Sequence, residues 1–529
     1  MNDLTKRLTV AAAEDALFTE YRTHTSGFVK LIDYMGGDAL IERVATAGYG
    51  RDIFPEHPSS QEFFAHLQAK AIRTPFQSTQ LKFHIQSSIE DALEMVYERT
   101  GSVNEYSGRY SLLLKTAHVP KNLLPHIASI KKIQDDTYEW FVSEDVDLAR
   151  ELARLPVGTM NDTMFFWKMD LYNLTSFIKQ KRAQGKIPVY LQHFEHLARR
   201  VAPEATAALL SEGKNMMLTY PEDSIIDAPL RPAAWSAQQT RRQVVPALEN
   251  VLYLPQQYLD KGAIQAVEYL GSDVGPAEAA RMSYGRGTKK ASDDKNLIRY
   301  LYRHRHTSPF EHNELAVESK TPLFVDPRQA GRHRTLEYCC FMEKQFVGRD
   351  YYVPAEEQLR KQSMTNRQGR DRGLDNALPV QERLQDSCEQ TLAIVDALRK
   401  ERKSEDELRK LKGVAFYTYN YRTGDMKNWL HFLSLRLDSH AQWEIQEYAR
   451  AVEGVMQQFS PLIMDAFREY GRESVHFTDT ELRMFLDLEH GRDVDAVKKA
   501  YGMVNDRGKV SIDWIEFMQK YQAWSDRNA

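Results

Sequence analysis

Cysteine is almost absent from the 529 residues: Cys339, Cys340 and Cys388 are all there are. So odd and sparse a set excludes a disulfide framework and fits a reducing compartment, and no CxxC or Cys/His spacing suits zinc. Long apolar runs are lacking too, none approaching the roughly 20 residues that a membrane span needs. The opening MNDLTKRLTVAAAEDALF has a short apolar patch broken by Glu14 and Asp15, without the apolar core of a signal peptide. Nor does one sign of charge dominate. Lys plus Arg is 70, Asp plus Glu is 74, and the formal net charge is -4, a balance with no footprint for nucleic acid. With 42% apolar and 27% charged residues, the composition is that of a soluble globular protein, expected in the cytoplasm and away from membranes. Its length allows two large domains or several average ones.

What the chain does have is an internal repeat. GFVKLIDYMGGD at 27–38 and GAIQAVEYLGSD at 262–273 stand 235 positions apart. Both alternate apolar and polar residues and end in a Gly-rich turn, which reads as a strand and its turn. RTPFQ at 73–77 faces TSPFE at 307–311, Arg99 faces Arg334, and the VP of 119–120 faces that of 353–354. After a longer insertion, NLTSFI at 173–178 faces NWLHFL at 428–433. Matches in one order argue for two copies of a domain, about 26–212 and 261–475, after an N-terminal extension of 1–25. Between them 213–260 carries five prolines and reads as a surface linker. The tail, 476–529, is charged and helix-patterned. Its NDRGKVSIDWIEF (505–517) resembles half an EF-hand loop, but Trp514 stands where the bidentate Glu belongs and Met503 at the first position. The expectation is a helix–turn–helix appendage without calcium.

Mid-copy, the halves differ. In the second, TPLFVDPRQAGRHRT (321–335) predicts a short helix starting at Asp326-Pro327, with Arg328 and Arg332 on one face and His333 and Arg334 at its end. Such a cluster suits a phosphate, since the arginine fork donates twice. It equally suits a helix C-terminus answering the macrodipole, and spacing leaves both readings open. In the first copy, Ser87 and Glu90 predict a capping box for a helix ended by Gly101. Glu94 and Glu98 then occupy the face that is basic in the other copy. The following loop offers Asn104, Glu105, Ser107, Gly108 and Arg109: Gly108 admits close backbone approach and Arg109 adds charge. On these residues alone, a hydrogen-bonded turn with a surface arginine is the better reading.

RHRT (332–335) with NEYSGRYS (104–111) resembles the two ends of the signature of the flavin-dependent thymidylate synthases (ThyX), which ordinary members carry on one loop. TSPFEH (307–312), YYVP (351–354), RKQSMTNRQGR (360–370) and LRLDSHAQWEIQEY (435–448) are similar to that family in the second copy, and TPF and MFFW (164–167) in the first. The resemblance implies an α+β fold: two tandem domains, each an antiparallel sheet with flanking helices, plus a small helical tail. It implies an FAD enzyme that methylates dUMP at C5, with methylenetetrahydrofolate and NADPH as co-substrates and no protein nucleophile. Family members are homotetramers with sites between subunits, so two double-copy chains are expected to form a homodimer. By the same resemblance the flavin candidates are Ser283, His306, Ser308, Glu311, Arg332, His333, Arg334 and His431. The nucleotide candidates are Glu105, Ser107, Gly108 and Arg109 from the first copy, with Gln329 and Arg436 from the second. Arg436 would polarise the pyrimidine.

The departures are complementary. The first copy has Gln77-Ser78 for the family's Glu-His, Gly48 for its serine, and Tyr97-Glu98-Arg99 for Arg-His-Arg. The second has CCFMEK (339–344) in place of the nucleotide loop, and Cys339 and Cys340 read as buried fillers there. The family arginine before the FFW-like segment is replaced by Met164 and Tyr419, and Arg422 would compensate from one turn away if that segment is helical. Alternatives are a related C5 modification, such as hydroxymethylation, of another pyrimidine nucleotide, and a non-catalytic nucleotide-binding paralogue.

Overall fold

Apolar residues at every second position make strands of the two matching segments, Phe28–Met35 (β3) and Gly262–Leu270 (β9). Each ends in the expected glycine turn, with Gly36 at φ 81°, Gly37 at 145° and Gly271 at 86°, a region that favours glycine. The structure is a computed structural model. It describes residues 3–49, 60–98, 100–106, 114, 116–117, 124–146, 148–185, 188–211, 237–282, 293–325, 337–339, 346–362, 370–401, 403, 408, 411–438, 441–505 and 508–528. The chain forms two units, Met1–Met464 and Asp465–Ala529.

The larger unit holds two antiparallel sheets of one design. In the first, β2 (Tyr21–Arg22), β3, β4 (Gln80–Ser88), β6 (Asp162–Asp170) and β5 (Ser102–Glu105) lie in the order β2-β3-β4-β6-β5. In the second, β8 (Gln256–Tyr258), β9, β10 (Glu314–Pro322), β15 (Phe416–Asp425) and β11 (Glu337–Cys339) repeat that order, and β12 (Phe346–Tyr351) adds to β15. A small hairpin, β13 (Arg360–Gln362) with β14 (Arg370–Gly373), stands apart. Even the irregularities match. The ladder skips Ile32 between Leu31 and Asp33, and it skips Val267, 235 positions on, between Ala266 and Glu268. A bulge re-aims the residue beside it, here a buried acid in each sheet, Asp33 and Glu268.

One face of each sheet is covered by its own helices. In the first copy Phe83, Trp167 and Phe194 meet ring to ring at 5.1 to 6.2 Å. In the second, Trp429 and Tyr448 flank Phe432, and the indole N–H of Trp429 donates to Leu315 O at 3.0 Å. The helices Leu171–Ala183 and Met426–Arg436 start alike, Asp170 accepting from Asn173 N–H and Asp425 from Asn428 N–H, each at 2.8 Å. All nine residues of β9 are buried, its other face lying against the first copy.

Of the segments read as an extension and a linker, residues 3–25 and 237–260 carry matching elements of the repeat, whereas 213–236 lie outside the described residues. β1 (Asp3–Thr5) pairs with β7 (Gln238–Thr240), and helices Ala11–Ala16 and Pro246–Val251 follow in equivalent places. Each arm ends in a fully buried arginine that crosses to the other copy. Arg7 donates to Tyr269 O at 3.0 Å and Gln243 O at 2.6 Å, its guanidinium 3.9 Å from the Tyr269 ring centre. Arg242 donates to Tyr34 O at 3.0 Å and Leu8 O at 2.9 Å, 4.0 Å from the Tyr34 ring centre. A carboxylate answers each: Glu249 takes Lys6 N–H, and Glu14 takes Arg241 N–H, both at 2.7 Å. The arms are short and lack a long periodic run, so the sequence hides them.

Two further expectations change. The helix Ile89–Val96 is capped by Ser88, which accepts Asp91 N–H at 3.1 Å, because β4 runs on through Ser87. The segment holding Tyr419 and Arg422 is strand β15, not helix. Three positions apart on a strand, the two side chains leave opposite faces, so Arg422, fully buried, does not take Tyr419's direction.

The smaller unit is helical, with Asp479–Glu489, Val494–Ala500 and Ile512–Asn528. Thr478 and Glu481 close a capping box. Trp514 is buried with Met484, Val497 and Phe517, and Ser511 Oγ donates to Met503 Sδ at 3.4 Å. Both residues at the loop's would-be ligand positions are thus engaged in packing. No helix among the described residues is long and apolar enough to cross a membrane.

Candidate active site

Pro309 starts a short 3-10 turn, Ser308–His312, that puts Phe310 and His312 inward and leaves Ser308 exposed and Glu311 half-buried. Four elements meet this turn: the helix Gly275–Met282, the helix Met426–Arg436 and strand β15 of its own copy, and β5 of the first copy. Asn104 on β5, buried, makes the cross-copy link. Its Nδ2 donates to Ala279 O, and its Oδ1 accepts from Ser308 Oγ at 3.4 Å. Next along β5, Glu105 accepts from Thr163 Oγ1 at 2.7 Å on β6.

On the other side, Lys427 Nζ donates to Glu311 Oε1 at 2.5 Å. Four residues on, and therefore on the same helical face, His431 is exposed. His306 is exposed just before the turn, aided by Arg305 at φ 58°, and its ring meets Tyr300 edge-on at 6.1 Å. Arg436 ends the same helix as His431, half-buried. The structure thus gathers Ser308, Glu311 and His431 about one turn and brings β5, with Glu105, to it from the other copy. Ser107, Gly108, Arg109, Ser283, Gln329, Arg332, His333 and Arg334 lie outside the described residues, as do the helix start at Asp326-Pro327, the side chain of Cys339 and all of Cys340. The sequence named Asn104 among the anchors of its loop but not its reach to the other copy, and it did not name Lys427, for which the i, i+4 spacing to His431 was the available signal.

Beneath the turn the copies share a buried charged seam. Lys168 of β6 pairs with Glu314 of β10, and Thr423 Oγ1 also donates to Glu314 at 3.2 Å. His312 is fully buried, 6.2 Å from the Phe166 ring centre, and burial with Lys82 and Lys168 nearby holds its pKa far down, so it stays neutral. Burial pushes Asp170 and Asp425, beside this pair, up to about 7 from an ordinary 3.8, with Glu314 adding to the shift.

A carboxyl that keeps its proton longer folded than unfolded stabilises the fold fully below its unfolded pKa, and loses that contribution as pH rises to its folded one. Stability carried by Asp170 and Asp425 should therefore fall between about pH 4 and 7. Glu268, raised by burial to about 7, acts in the same direction, and His84, lowered by burial to about 4, acts against it. The double variant Asp170→Asn, Asp425→Asn keeps both caps and removes two of the protons. Its melting temperature should depend less steeply on pH across that window than the parent's; parallel curves would contradict the assignment.

The pseudo-equivalent place is differently furnished. β11 lies against helices Thr74–Gln77 and Asp38–Tyr49. There Arg43 forks onto Glu318 with two bonds of 2.7 Å, whereas Glu278, the matching position in the other copy, bonds Gln243 at 2.8 Å. Glu94, on the acidic face of the first copy's helix, pairs with Lys181 at 3.2 Å, which offsets its charge, and accepts from Tyr190 Oη at 2.8 Å.

The family model described as thymidylate synthase complementing protein (Thy1) matches residues 30–204 and 266–462, one stretch in each copy. A flavin-dependent thymidylate synthase of Ehrlichia ruminantium (strain Gardel) is 38% identical over 295 residues, 55% of this chain and 96% of that protein. One of Gluconobacter oxydans (strain 621H) is 41% identical over 239 residues, 44% of this chain and 78% of that protein. Among solved structures, a UMP/dUMP methylase, PolB, of Streptomyces cacaoi bound with 5-Br dUMP is 28% identical, with a TM-score of 0.37, covering 40% of this chain and 96% of its own.

Proposed function

We propose, for a chain that belongs to the thymidylate synthase complementing protein family, that it is a flavin-dependent enzyme methylating dUMP at C5 to dTMP through a site shared by its two copies. The observation that carries this reading is the meeting of β5, which leads into the nucleotide loop of the first copy, with the Ser308–His312 turn of the second. Each copy carries the part of the motif that the other lacks, and the contact of β5 with the turn supports a site shared between them.

The donors around the turn suit FAD, an anionic and polar cofactor. Lys427 offers a part-exposed ammonium, Ser308 an exposed hydroxyl oxygen and His431 an exposed imidazole. Bound FAD, reduced by NADPH, would supply the hydride, with methylenetetrahydrofolate as the one-carbon donor. The chain's own work is to bind and orient. Arg332, His333 and Arg334, with Ser283, His306, Ser308, Glu311 and His431, hold the flavin. Glu105, Ser107, Gly108, Arg109 and Gln329 hold the nucleotide. Arg436 stabilises negative charge that develops on the pyrimidine. Cys388 is buried against Tyr351, and burial raises its pKa. Two chains would reproduce the four-domain assembly of the family as a homodimer.

Purified full-length protein should be yellow, should convert dUMP to dTMP with the two co-substrates, and should bind one nucleotide per chain in calorimetry. Turnover of UMP or dCMP in place of dUMP would reassign the substrate. A colourless, inactive preparation that still binds nucleotide would point to a non-catalytic paralogue, and two nucleotides per chain would mean that the second place also works.

A further inference from the structure

We propose that Asn104 is a positioning residue that couples the nucleotide half of the site to the flavin half, an inference that rests on the functional reading above. One buried amide on β5 bonds two of the other elements that form the candidate site. Asn104 lies on β5, whose next residue is Glu105 and whose continuation is the nucleotide loop. Its Nδ2 binds Ala279 O in the helix Gly275–Met282, which runs into Ser283. Its Oδ1 takes the hydroxyl hydrogen of Ser308 at 3.4 Å, on the turn that carries Glu311. Donor and acceptor are used on opposite partners, so neither a hydrophobic residue nor a carboxylate can replace the amide.

The link is one-sided. At the pseudo-equivalent place β11 carries Cys339 in the position of Asn104, and a thiol cannot bridge a carbonyl and a hydroxyl in this way. Only the combination that retains both ligand half-sites has the amide. A buried group that is satisfied from two elements at once fixes their spacing. A nucleotide held beside Glu105 would then brace the same strand that orders Ser308, and flavin held at the turn would brace that strand for the nucleotide. By linkage each ligand must tighten the other by one factor.

The test uses the full-length chain in the variants Asn104→Ala and Asn104→Asp, the second nearly isosteric in case the first does not fold. Flavin dissociation is followed by its absorbance with and without dUMP, and dUMP affinity by calorimetry on flavin-loaded protein. In the parent, dUMP should tighten flavin. In both variants flavin alone should bind within about twofold of the parent, dUMP should bind about tenfold more weakly, and the mutual tightening should fall towards one. The Michaelis constant for dUMP should rise more than the turnover number falls, a split that a merely destabilised core would not give. A variant that keeps the parent's tightening and dUMP affinity overturns the inference and leaves the functional reading intact. A parent that binds neither ligand overturns both.

Discussion

Replacing Arg109 with alanine is expected to weaken dUMP binding to the flavin-loaded protein by tenfold to a hundredfold while leaving the flavin in place. A charge-assisted hydrogen bond at a buried phosphate contributes about 1.5–3 kcal/mol, which sets that range. Arg109 follows Glu105 by four positions in the sequence that continues from β5, and β5 meets the second copy's turn. Arg349, in the superficially similar VGRDYY, is the control. It pairs with Asp396 on the outer helix Leu378–Lys400, and its side chain is 63% exposed. Exposed pairs of this kind contribute about 0–1 kcal/mol, so Arg349→Ala should bind dUMP as the parent does. Calorimetry separates the two cases, and an Arg109 variant with unchanged affinity would mean that the nucleotide loop has been assigned to the wrong strand.

Arg242→Ala should be the most damaging single change to stability outside the hydrophobic cores. The fully buried guanidinium serves Tyr34 O, Leu8 O and Thr240 Oγ1 at 2.9 to 3.1 Å and faces Glu14 at 3.2 Å. Truncation leaves two carbonyls and a carboxylate without their cation in a site that water does not reach. Breaking such a buried arrangement costs about 3–5 kcal/mol. Lysine should recover little, since one ammonium cannot reproduce the fork. Thermal unfolding should show a lower midpoint, by several degrees, and a separation of the transitions of the two copies, because this arm joins them. A midpoint within a degree of the parent would show the arm to be dispensable.

How far the sequence disclosed this molecule varies by feature. The repeat was legible where identical spacing met strong periodicity, as in 27–38 and 262–273. It was missed at 3–25 and 238–260, where strands of three residues and helices of six give no periodic signal and the pairing of β1 with β7 spans more than 230 positions. The strand holding Tyr419 and Arg422 had a period-2 pattern in FYTYNYRTG that argues against the helical alternative. Serine at both 87 and 88 made the cap ambiguous by one position, and the length of β4 decided it. At the site, Ser308, Glu311 and His431 were legible from the family's motifs. The salt bridge from Lys427 depends on how its helix packs on the turn of the same copy, and the reach of Asn104 on which copy faces which; both are fixed by tertiary packing alone.

The crossed arms have a consequence for how the two copies could come to differ. In an assembly of identical subunits every substitution appears at each symmetric position at once, so a change that helps one half-site harms its mate. Here β1 and β7 belong to one chain, and at this contact each copy meets the other and not its own equivalent. A substitution in one half is then felt once. Cys339 could replace an asparagine, and Gln77 a glutamate, without cost to the place where Asn104 and Glu311 remain. Covalent pairing thus frees each half from the obligation to be complete, and specialisation of the two halves becomes the less constrained path.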